Sequence, residues 1–155
     1  MRQIILLFIF ICPILSNAQE ITKSDDIVSS ISLGYLSAHR TFENGTEKSL
    51  YLTYSFQNRK YQTITDIQNL FIGSPDELQL YLNNLLTFLN ENDENTRTEI
   101  NGCTVSISKM MGKKLLTAWD EDMLGYTYLA ERTIKKLQRK FDKWASKNDL
   151  VLKSN

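Results

Sequence analysis

The clearest alternation of apolar and polar positions lies between Ser74 and Leu89. Its leucines recur at spacings of four, three and four residues, which places them on one face of a helix: Leu78, Leu82, Leu85 and Leu89. Ser74, Pro75 and Glu77 together form the sequence signature of a capping box at a helix start. The pattern therefore predicts a helix over residues 75–89. Because so short a helix is marginal alone in water, its apolar face requires a sheet or another helix to cover it.

The segments before this helix show the period of two that is typical of strands. Residues 50–56 alternate apolar and polar side chains most regularly, and residues 31–42 do so more weakly. The Asn-Gly dipeptide at 44–45 favours a type I′ turn between these two strands. After a polar turn, residues 61–72 are rich in β-branched and aromatic side chains and are predicted to return antiparallel, with a bulge near Asp66 where the alternation shifts.

The second half of the chain repeats this order of elements. Strands are predicted at 103–107, 114–119 and 125–129, and an amphipathic helix at 131–147. Strand, strand, strand, helix thus occurs twice, as a duplicated βββα unit would have it, although the same order also arises in unrelated α+β proteins. We predict an α+β fold in which two amphipathic helices pack on one antiparallel sheet of about five to six strands.

The first eighteen residues have the composition of a signal peptide. Arg2 precedes an apolar run at 4–15, and small residues at 16 and 18 suit cleavage after Ala18. The alternative is a membrane anchor, but the run is shorter than the ~20 apolar residues that span a bilayer. We expect export to the periplasm or the medium, and no transmembrane segment in the mature chain. Residues 19–30 are predicted to be a loose segment that leads into a single domain over residues 31–155.

Composition narrows the classes of protein without naming a function. At 155 residues the chain can bury about two thirds of its unfolded surface and needs no disulfide to fold. Its formal net charge is zero, so overall charge indicates no polyanionic partner. After cleavage Cys103 is the only cysteine, and its alternation with Val105 and Ile107 predicts burial, although pairing with another chain stays open.

No motif in the sequence identifies a catalytic or cofactor site. His39 is the single histidine and is expected to have a surface or edge-strand role. The acidic runs at 91–94 and 120–122 lack the spacing of a calcium loop and are interpreted as solvated turns. We predict no catalytic residue, no metal and no cofactor. The lack of a catalytic motif favours a protein that is not an enzyme. The alternative is a hydrolase that uses His39 with a carboxylate.

The last helix carries the strongest charge asymmetry in the chain. It carries seven cations against Glu131 and Asp142, a local excess of five positive charges. The candidate anion-binding residues are Lys135, Lys136, Arg139, Lys140 and Lys143. The alternative function is therefore association with an anionic polymer or a membrane surface, because clustered cations release counterions on such a partner. The ordinary interpretation is a solvated helix face. This basic face lacks interleaved aromatic residues that stack on bases, which argues against nucleic acid.

A second candidate surface consists of uncharged hydroxyl positions on two strands. If the apolar positions face the helices, six side chains point away from them: Tyr51, Thr53, Ser55, Thr104, Ser106 and Ser108. Solvated sheet faces usually include charged residues, so this composition favours a face that contacts a protein or glycan, with Tyr51 as its anchor. The simpler explanation is that Thr and Tyr form strands well. The favoured function is a small exported domain that acts as a non-enzymatic binding module.

Overall fold

The computed structural model describes residues 20–61, 66–120 and 122–152, and the predicted signal peptide at 1–18 lies outside them. The fold is α+β, with eight strands and two helices in these ranges. In chain order the elements are β1 (Glu20–Ser30), β2 (Gly34–Glu43), β3 (Thr46–Gln57), β4 (Ile67–Gly73), α1 (Pro75–Glu91), β5 (Arg97–Ile100), β6 (Cys103–Met110), β7 (Lys113–Trp119), β8 (Tyr126–Leu129) and α2 (Glu131–Lys147).

The strands form two antiparallel sheets, and the prediction of one sheet with five to six strands is only approximately right. Strands β1 to β4 form one four-stranded sheet in sequence order, and β5 to β8 form the other. Helix α1 connects β4, in the first sheet, to β5, in the second. The repeated unit is four strands and a helix, because each half begins with a strand that the sequence pattern did not predict.

The two unpredicted strands are β1 and β5. Strand β1 pairs with β2 from Glu20↔Glu43 to Ser30↔Gly34, so the loose segment predicted at 19–30 is wrong. Of its 11 residues 8 are exposed and only Val28 is buried, so this edge strand shows no apolar alternation. Strand β5 is only 4 residues long and is also exposed.

Tight Asn-Gly turns connect several of these strands, as expected from their backbone requirements. Asn44 and Gly45 have φ values of 52° and 81°, which confirms the predicted hairpin between β2 and β3. Asn101 and Gly102, at 52° and 79°, make the same kind of turn between β5 and β6. That second dipeptide is the signal from which β5 was predictable.

Strand β4 returns antiparallel to β3, as predicted, but its bulge lies further along the chain. Tyr54 pairs with Phe71 and Ser55 pairs with Asn69, so Leu70 is the extra residue rather than a position near Asp66. Residues 62–65 of this predicted strand lie outside the described ranges. The bulge turns both Leu70 and Phe71 into the core, where each is at most 3% exposed.

Helix α1 begins with the predicted capping box and packs against both sheets. The Ser74 hydroxyl accepts from the Glu77 amide at 3.4 Å, and the Glu77 carboxylate accepts from the Ser74 amide at 2.7 Å. The Ser74 hydroxyl also donates to the Glu77 carboxylate at 2.8 Å, and the pKa of Glu77 is lowered first by the Ser74 amide and then by this hydroxyl. The helix contacts β3 and β4 of the first sheet, β5 and β7 of the second, and α2. One hydrophobic core therefore spans both halves.

Cys103 is buried, which confirms the sequence prediction. Its thiol donates to the carbonyl oxygen of Leu70 at 2.9 Å and so joins β6 to the bulge of β4. Tyr81 lies in the same core, and burial raises the pKa of its hydroxyl well above the ordinary value. These groups are structural parts of the interior, away from both outer sheet faces.

A buried polar junction joins the ends of the two sheets. Asn58 is 1% exposed; its side-chain amide donates to Asp66 at 2.9 Å, and its side-chain oxygen accepts from the Tyr126 amide at 3.2 Å. The Arg59 amide donates to the Tyr126 carbonyl oxygen at 2.9 Å. Hydrogen bonds from Asn58 and then Gln68 lower the pKa of Asp66. This junction fixes where β8 lies relative to the first sheet.

The turn after β7 differs from the solvated turn predicted at 120–122. Asp120 is 5% exposed, and both of its carboxylate oxygens accept from the Gly125 amide, at 3.1 and 3.0 Å. A buried carboxylate needs such a donor to offset the loss of hydration. Asp120 therefore shapes the turn into β8.

Candidate functional site

Both sheets bury one face against the helices and turn the other outward, as the alternation predicted. In β3 the buried positions are Leu52, Tyr54 and Phe56, and in β6 they include Val105 and Ile107. All six predicted outward side chains are half-buried: Tyr51, Thr53, Ser55, Thr104, Ser106 and Ser108. They do not form one surface, because the first three lie on one sheet and the last three on the other.

Aromatic side chains share the outer face of the second sheet with these hydroxyls. Trp119 pairs with Tyr126 across β7 and β8, and Thr117 pairs with Tyr128. The rings of Tyr126 and Tyr128 meet edge to face, with centroids 5.6 Å apart and planes at 69°. Tyr128 is 40% exposed, whereas Trp119 and Tyr126 are half-buried. Because β7 and β8 are hydrogen-bonded to each other, the backbones of these three residues are held in fixed relative positions.

These side chains enclose a shallow pocket of about 300 Å³. It is lined by Ser108, Lys109, Met110, Thr117, Trp119, Tyr126 and Tyr128. The hydroxyls of Ser108 and Thr117, both in this lining, are hydrogen-bonded to each other at 3.2 Å. This volume is at the small end of the range of about 300–1,000 Å³ that is usual for ligand sites. We refer to these seven residues as the aromatic pocket.

The pocket is largely uncharged. Lys109 is the only charged residue in its lining. Arg97 lies beside it, but its guanidinium is 5.5 Å from the ring centroid of Trp119 and also donates to the sulfur of Met123 at 3.6 Å. Burial raises the pKa of Tyr128, and the neighbouring Tyr126 raises it further. The Tyr128 hydroxyl is therefore neutral at physiological pH and can both donate and accept.

The outer face of the first sheet has a different organisation, centred on His39. The imidazole lies between two hydroxyls, with Nδ1 2.8 Å from Ser24 Oγ and Nε2 3.0 Å from Thr53 Oγ1. It also stacks on Tyr51, with ring centroids 4.8 Å apart. His39 is on β2, between β1 and β3, so the edge-strand part of its predicted surface or edge-strand role is wrong, whereas its position on the outer face agrees with the surface part. Its half-buried side chain instead connects three strands.

Among the described residues, no hydrogen bond joins His39 to a carboxylate, which is the pairing that the hydrolase alternative would use. Among the hydrogen bonds of the described residues, both imidazole nitrogens meet hydroxyls, and the nearby Asp26 carboxylate accepts from Ser37 at 2.8 Å. In hydrolases of this class, a carboxylate that is hydrogen-bonded to the histidine normally orients it as a general base. The arrangement is a ladder of side-chain hydrogen bonds across strands.

Other hydroxyls on this face are paired in the same way. Ser55 donates to Asn69 at 2.6 Å, and the hydroxyls of Thr41 and Ser49 are hydrogen-bonded to each other. Side chains that satisfy one another leave fewer free groups for a ligand. The first sheet therefore presents a surface that is already hydrogen-bonded internally.

The predicted basic face of α2 is present and solvent-exposed. The five cations Lys135, Lys136, Arg139, Lys140 and Lys143 are all exposed. Lys135 pairs with Glu131 one turn earlier, at 2.5 Å. The opposite side buries Ile134, Leu137, Phe141 and Ala145 in the core. These five cations are therefore accessible to solvent and to a polyanion.

Sequence reasoning missed the aromatic members of the pocket. It placed residues 125–129 in a strand, yet it considered the outward positions of only the two most regular strands. The same alternation in β8 puts Tyr126 and Tyr128 on one face, so that signal was present in the sequence. Trp119 joins them only through the pairing of β7 with β8.

No cluster of three or more potential metal-ligating side chains occurs within residues 20–61, 66–120 and 122–152. In the same ranges, neither helix has the length and apolar character needed to cross a bilayer.

Comparison with known proteins identifies no family. No family model matches the chain, and no curated protein matches it. A solved structure described as "Mutations in SsgB correlate to longitudinal cell division during sporulation of Streptomyces coelicolor" is similar at 13% identity and a TM-score of 0.32. The match covers 82% of this chain and 89% of that chain. A likeness at this level carries no argument about function.

Proposed function

We propose that the protein is an exported, non-enzymatic binding module and that its ligand contacts the aromatic pocket on the second sheet. The observation that carries this proposal is the pocket itself, where Trp119, Tyr126 and Tyr128 meet on paired strands beside Ser108 and Thr117. Aromatic rings with a polar tip contribute much of the contact energy in binding sites and lose little conformational entropy there.

The hydroxyls predicted on β6 support this site from one side. Ser108 lines the pocket, and Ser106 lies opposite Thr117 in the ladder between β6 and β7. The positions Tyr51, Thr53 and Ser55 belong to the other sheet, where His39 contacts both Tyr51 and Thr53. We therefore assign the primary contact to the second sheet and use the first sheet as the internal control.

Capture from the native compartment tests this assignment. The immobilised mature protein is exposed to native extract, and the retained proteins, glycans and lipids are identified. The double variant Tyr126→Ala/Tyr128→Ala should retain the specific material at least about tenfold less than the wild type. Tyr51→Ala, which removes an aromatic ring from the other sheet, should retain it normally. Equal retention by the double variant and the wild type would refute the site.

Export rests on the signal-peptide pattern of residues 1–18. Protein purified from its native host should begin at or next to Gln19, as read by mass spectrometry of the intact chain. An intact Met1 in secreted or periplasmic material would contradict cleavage near Ala18. This measurement is independent of the pocket.

The second candidate function is association with an anionic polymer or membrane through α2. The observation in its favour is the exposed set of five cations, of which only Lys135 has an acidic partner among the ion pairs of the described residues. Binding to heparin or to anionic vesicles should weaken steeply with salt. It should also disappear when Lys135, Lys136, Lys140 and Lys143 are changed to Gln. Binding that ignores both changes would exclude this function.

A further inference from the structure

We infer that the ligand of the aromatic pocket is a neutral carbohydrate, with one sugar ring of a glycan seated against Tyr126 and Tyr128. This inference rests on the proposed function, since it names the chemical class that the same pocket would take. It follows from three features: the partly exposed tyrosine rings, the hydroxyl groups in the lining, and a lining in which Lys109 is the only charged residue.

The ring faces suit one side of a sugar. A pyranose presents a face of C–H groups, and such a face packs against an aromatic ring through dispersion and weak C–H contacts. Tyr128 is 40% exposed, and its edge-to-face contact with Tyr126 makes an angled wall instead of a flat stack. The pocket volume of about 300 Å³ suits a single sugar ring.

The hydroxyls suit the other side of a sugar. The lining hydroxyls of Ser108 and Thr117 are hydrogen-bonded to each other at 3.2 Å, and this pair keeps further capacity for a ligand because a hydroxyl has one donor and two acceptor positions. The hydroxyls of Tyr126 and Tyr128 also line the pocket and are hydrogen-bonded to each other, so they too keep capacity for a further partner. Sugar hydroxyls also donate and accept, so groups of this type can satisfy them without a charged partner.

The charge distribution argues against an anionic ligand. Lys109 is the single charged residue of the lining, and the guanidinium of Arg97 is already held between the Trp119 ring and the Met123 sulfur. Glu99 is also exposed on β5, the strand that carries Arg97. A nucleic acid or an acidic glycan would require several free cations along its path. Among the described residues, a closely spaced set of exposed cations lies instead on α2, at Lys136, Arg139, Lys140 and Lys143.

Fluorescence of Trp119 provides a direct readout. The chain has two tryptophans, so Trp144→Phe leaves Trp119 as the single reporter, and circular dichroism checks that this variant is folded. The variant is titrated with neutral oligosaccharides of glucose, mannose, xylose, galactose and N-acetylglucosamine. Heparin fragments and single-stranded oligothymidylate serve as anionic competitors. We expect a saturable change in emission with at least one neutral glycan, unaffected by raising NaCl from about 0.05 M to about 0.5 M.

Variants in the same background separate stacking from hydrogen bonding. Tyr128→Ala and Tyr126→Ala should each weaken the glycan affinity at least about tenfold, because the sugar face loses a ring. Tyr128→Phe keeps the ring and should weaken it less. Tyr51→Ala, on the other sheet, is the matched control and should bind as the parent does.

These experiments distinguish failure of the carbohydrate assignment from failure of the proposed binding site. If no neutral glycan binds, or if only anionic oligomers bind and salt abolishes this, the carbohydrate assignment is overturned. Glycan binding that survives both Tyr126→Ala and Tyr128→Ala overturns it as well. A protein or lipid captured from native extract through the two tyrosines, without glycan binding, would preserve the proposed function and reject the sugar. Equal capture by all variants would reject the proposed function itself.

Discussion

The outer faces of the two sheets have similar alternating sequences but present different surfaces. On the first sheet, polar side chains bond to one another, as in the series from Ser24 through His39 to Thr53. On the second sheet, Ser108 and Thr117 form such a pair, and the neighbouring positions are aromatic. An outward hydroxyl is thus a cross-strand brace in one sheet and part of a pocket wall in the other.

This difference shows that the partner across the ladder decides the role of an outward side chain. Tyr51 lies opposite His39 and stacks on it, so its ring is already in contact. Tyr128 lies opposite Thr117, whose small side chain offers no ring to stack on, so the Tyr128 ring has only its edge contact with Tyr126 and stays 40% exposed. Loss of a brace should reduce stability, whereas loss of a pocket wall should reduce binding. The predictions below test this separation.

The largest expected effect is at the junction that holds the two sheets together. Asn58→Ala should lower the free energy of unfolding by about 2–3 kcal/mol, because Tyr126 and Asp66 lose their buried partner. Urea denaturation monitored by circular dichroism measures this. Asn69→Ala is the matched control, since Asn69 is exposed and bonds only Ser55 among the described side chains, and should cost about 0.5 kcal/mol or less. Equal costs would mean that the junction does not join the halves.

The next largest effect on stability is expected at the hydrogen-bonded series of Ser24, His39 and Thr53 on the first sheet. His39→Ala removes hydrogen bonds to Ser24 and Thr53 and the stacking contact with Tyr51, so it should lower the free energy of unfolding by about 1–2 kcal/mol. Ligand capture by the folded variant should equal that of the wild type. A loss of capture at unchanged stability would move the binding site to the first sheet.

The cap of α1 affects both sheets, because this helix contacts strands of each. Ser74→Ala should lower the free energy of unfolding by about 1 kcal/mol. The pKa of Glu77 is lowered in the folded protein, so its contribution is present above the ordinary value of 4.5 and is lost as the pH falls through the lower folded value. The difference between wild type and Ser74→Ala should therefore shrink in acid.

Chemical denaturation at neutral pH and below pH 4 measures this change. A difference that stays constant over that interval would show that the Glu77 carboxylate does not take part in the cap.

The smallest effect on stability is expected at the pocket wall. Tyr128→Ala removes a ring that is 40% exposed and should change the free energy of unfolding by about 0.5 kcal/mol or less. Ligand capture should fall strongly in the same variant. A variant that unfolds easily would instead show that Tyr128 supports β8, and the contrast between the two faces would fail.

Local patterns in the sequence determined both helices, six of the eight strands and the burial of Cys103. Each of these follows from neighbours along the chain: the capping box at Ser74, the Asn-Gly turn at 44–45, and the period of two in β3 and β6. Such signals are local because backbone conformation and the facing of side chains depend on nearby residues. Strand β1 was not predicted from the sequence, because a mostly exposed edge strand needs no apolar alternation.

The tertiary structure alone decided how these elements combine. The division into two sheets depends on which strands pair, and the buried junction of Asn58 with Tyr126 joins residues far apart in the chain. The aromatic pocket also needed the pairing of β7 with β8, since it brings Trp119 beside Tyr126. A sequence pattern shows which face a side chain takes, whereas its partner on that face is set by ladders between distant segments.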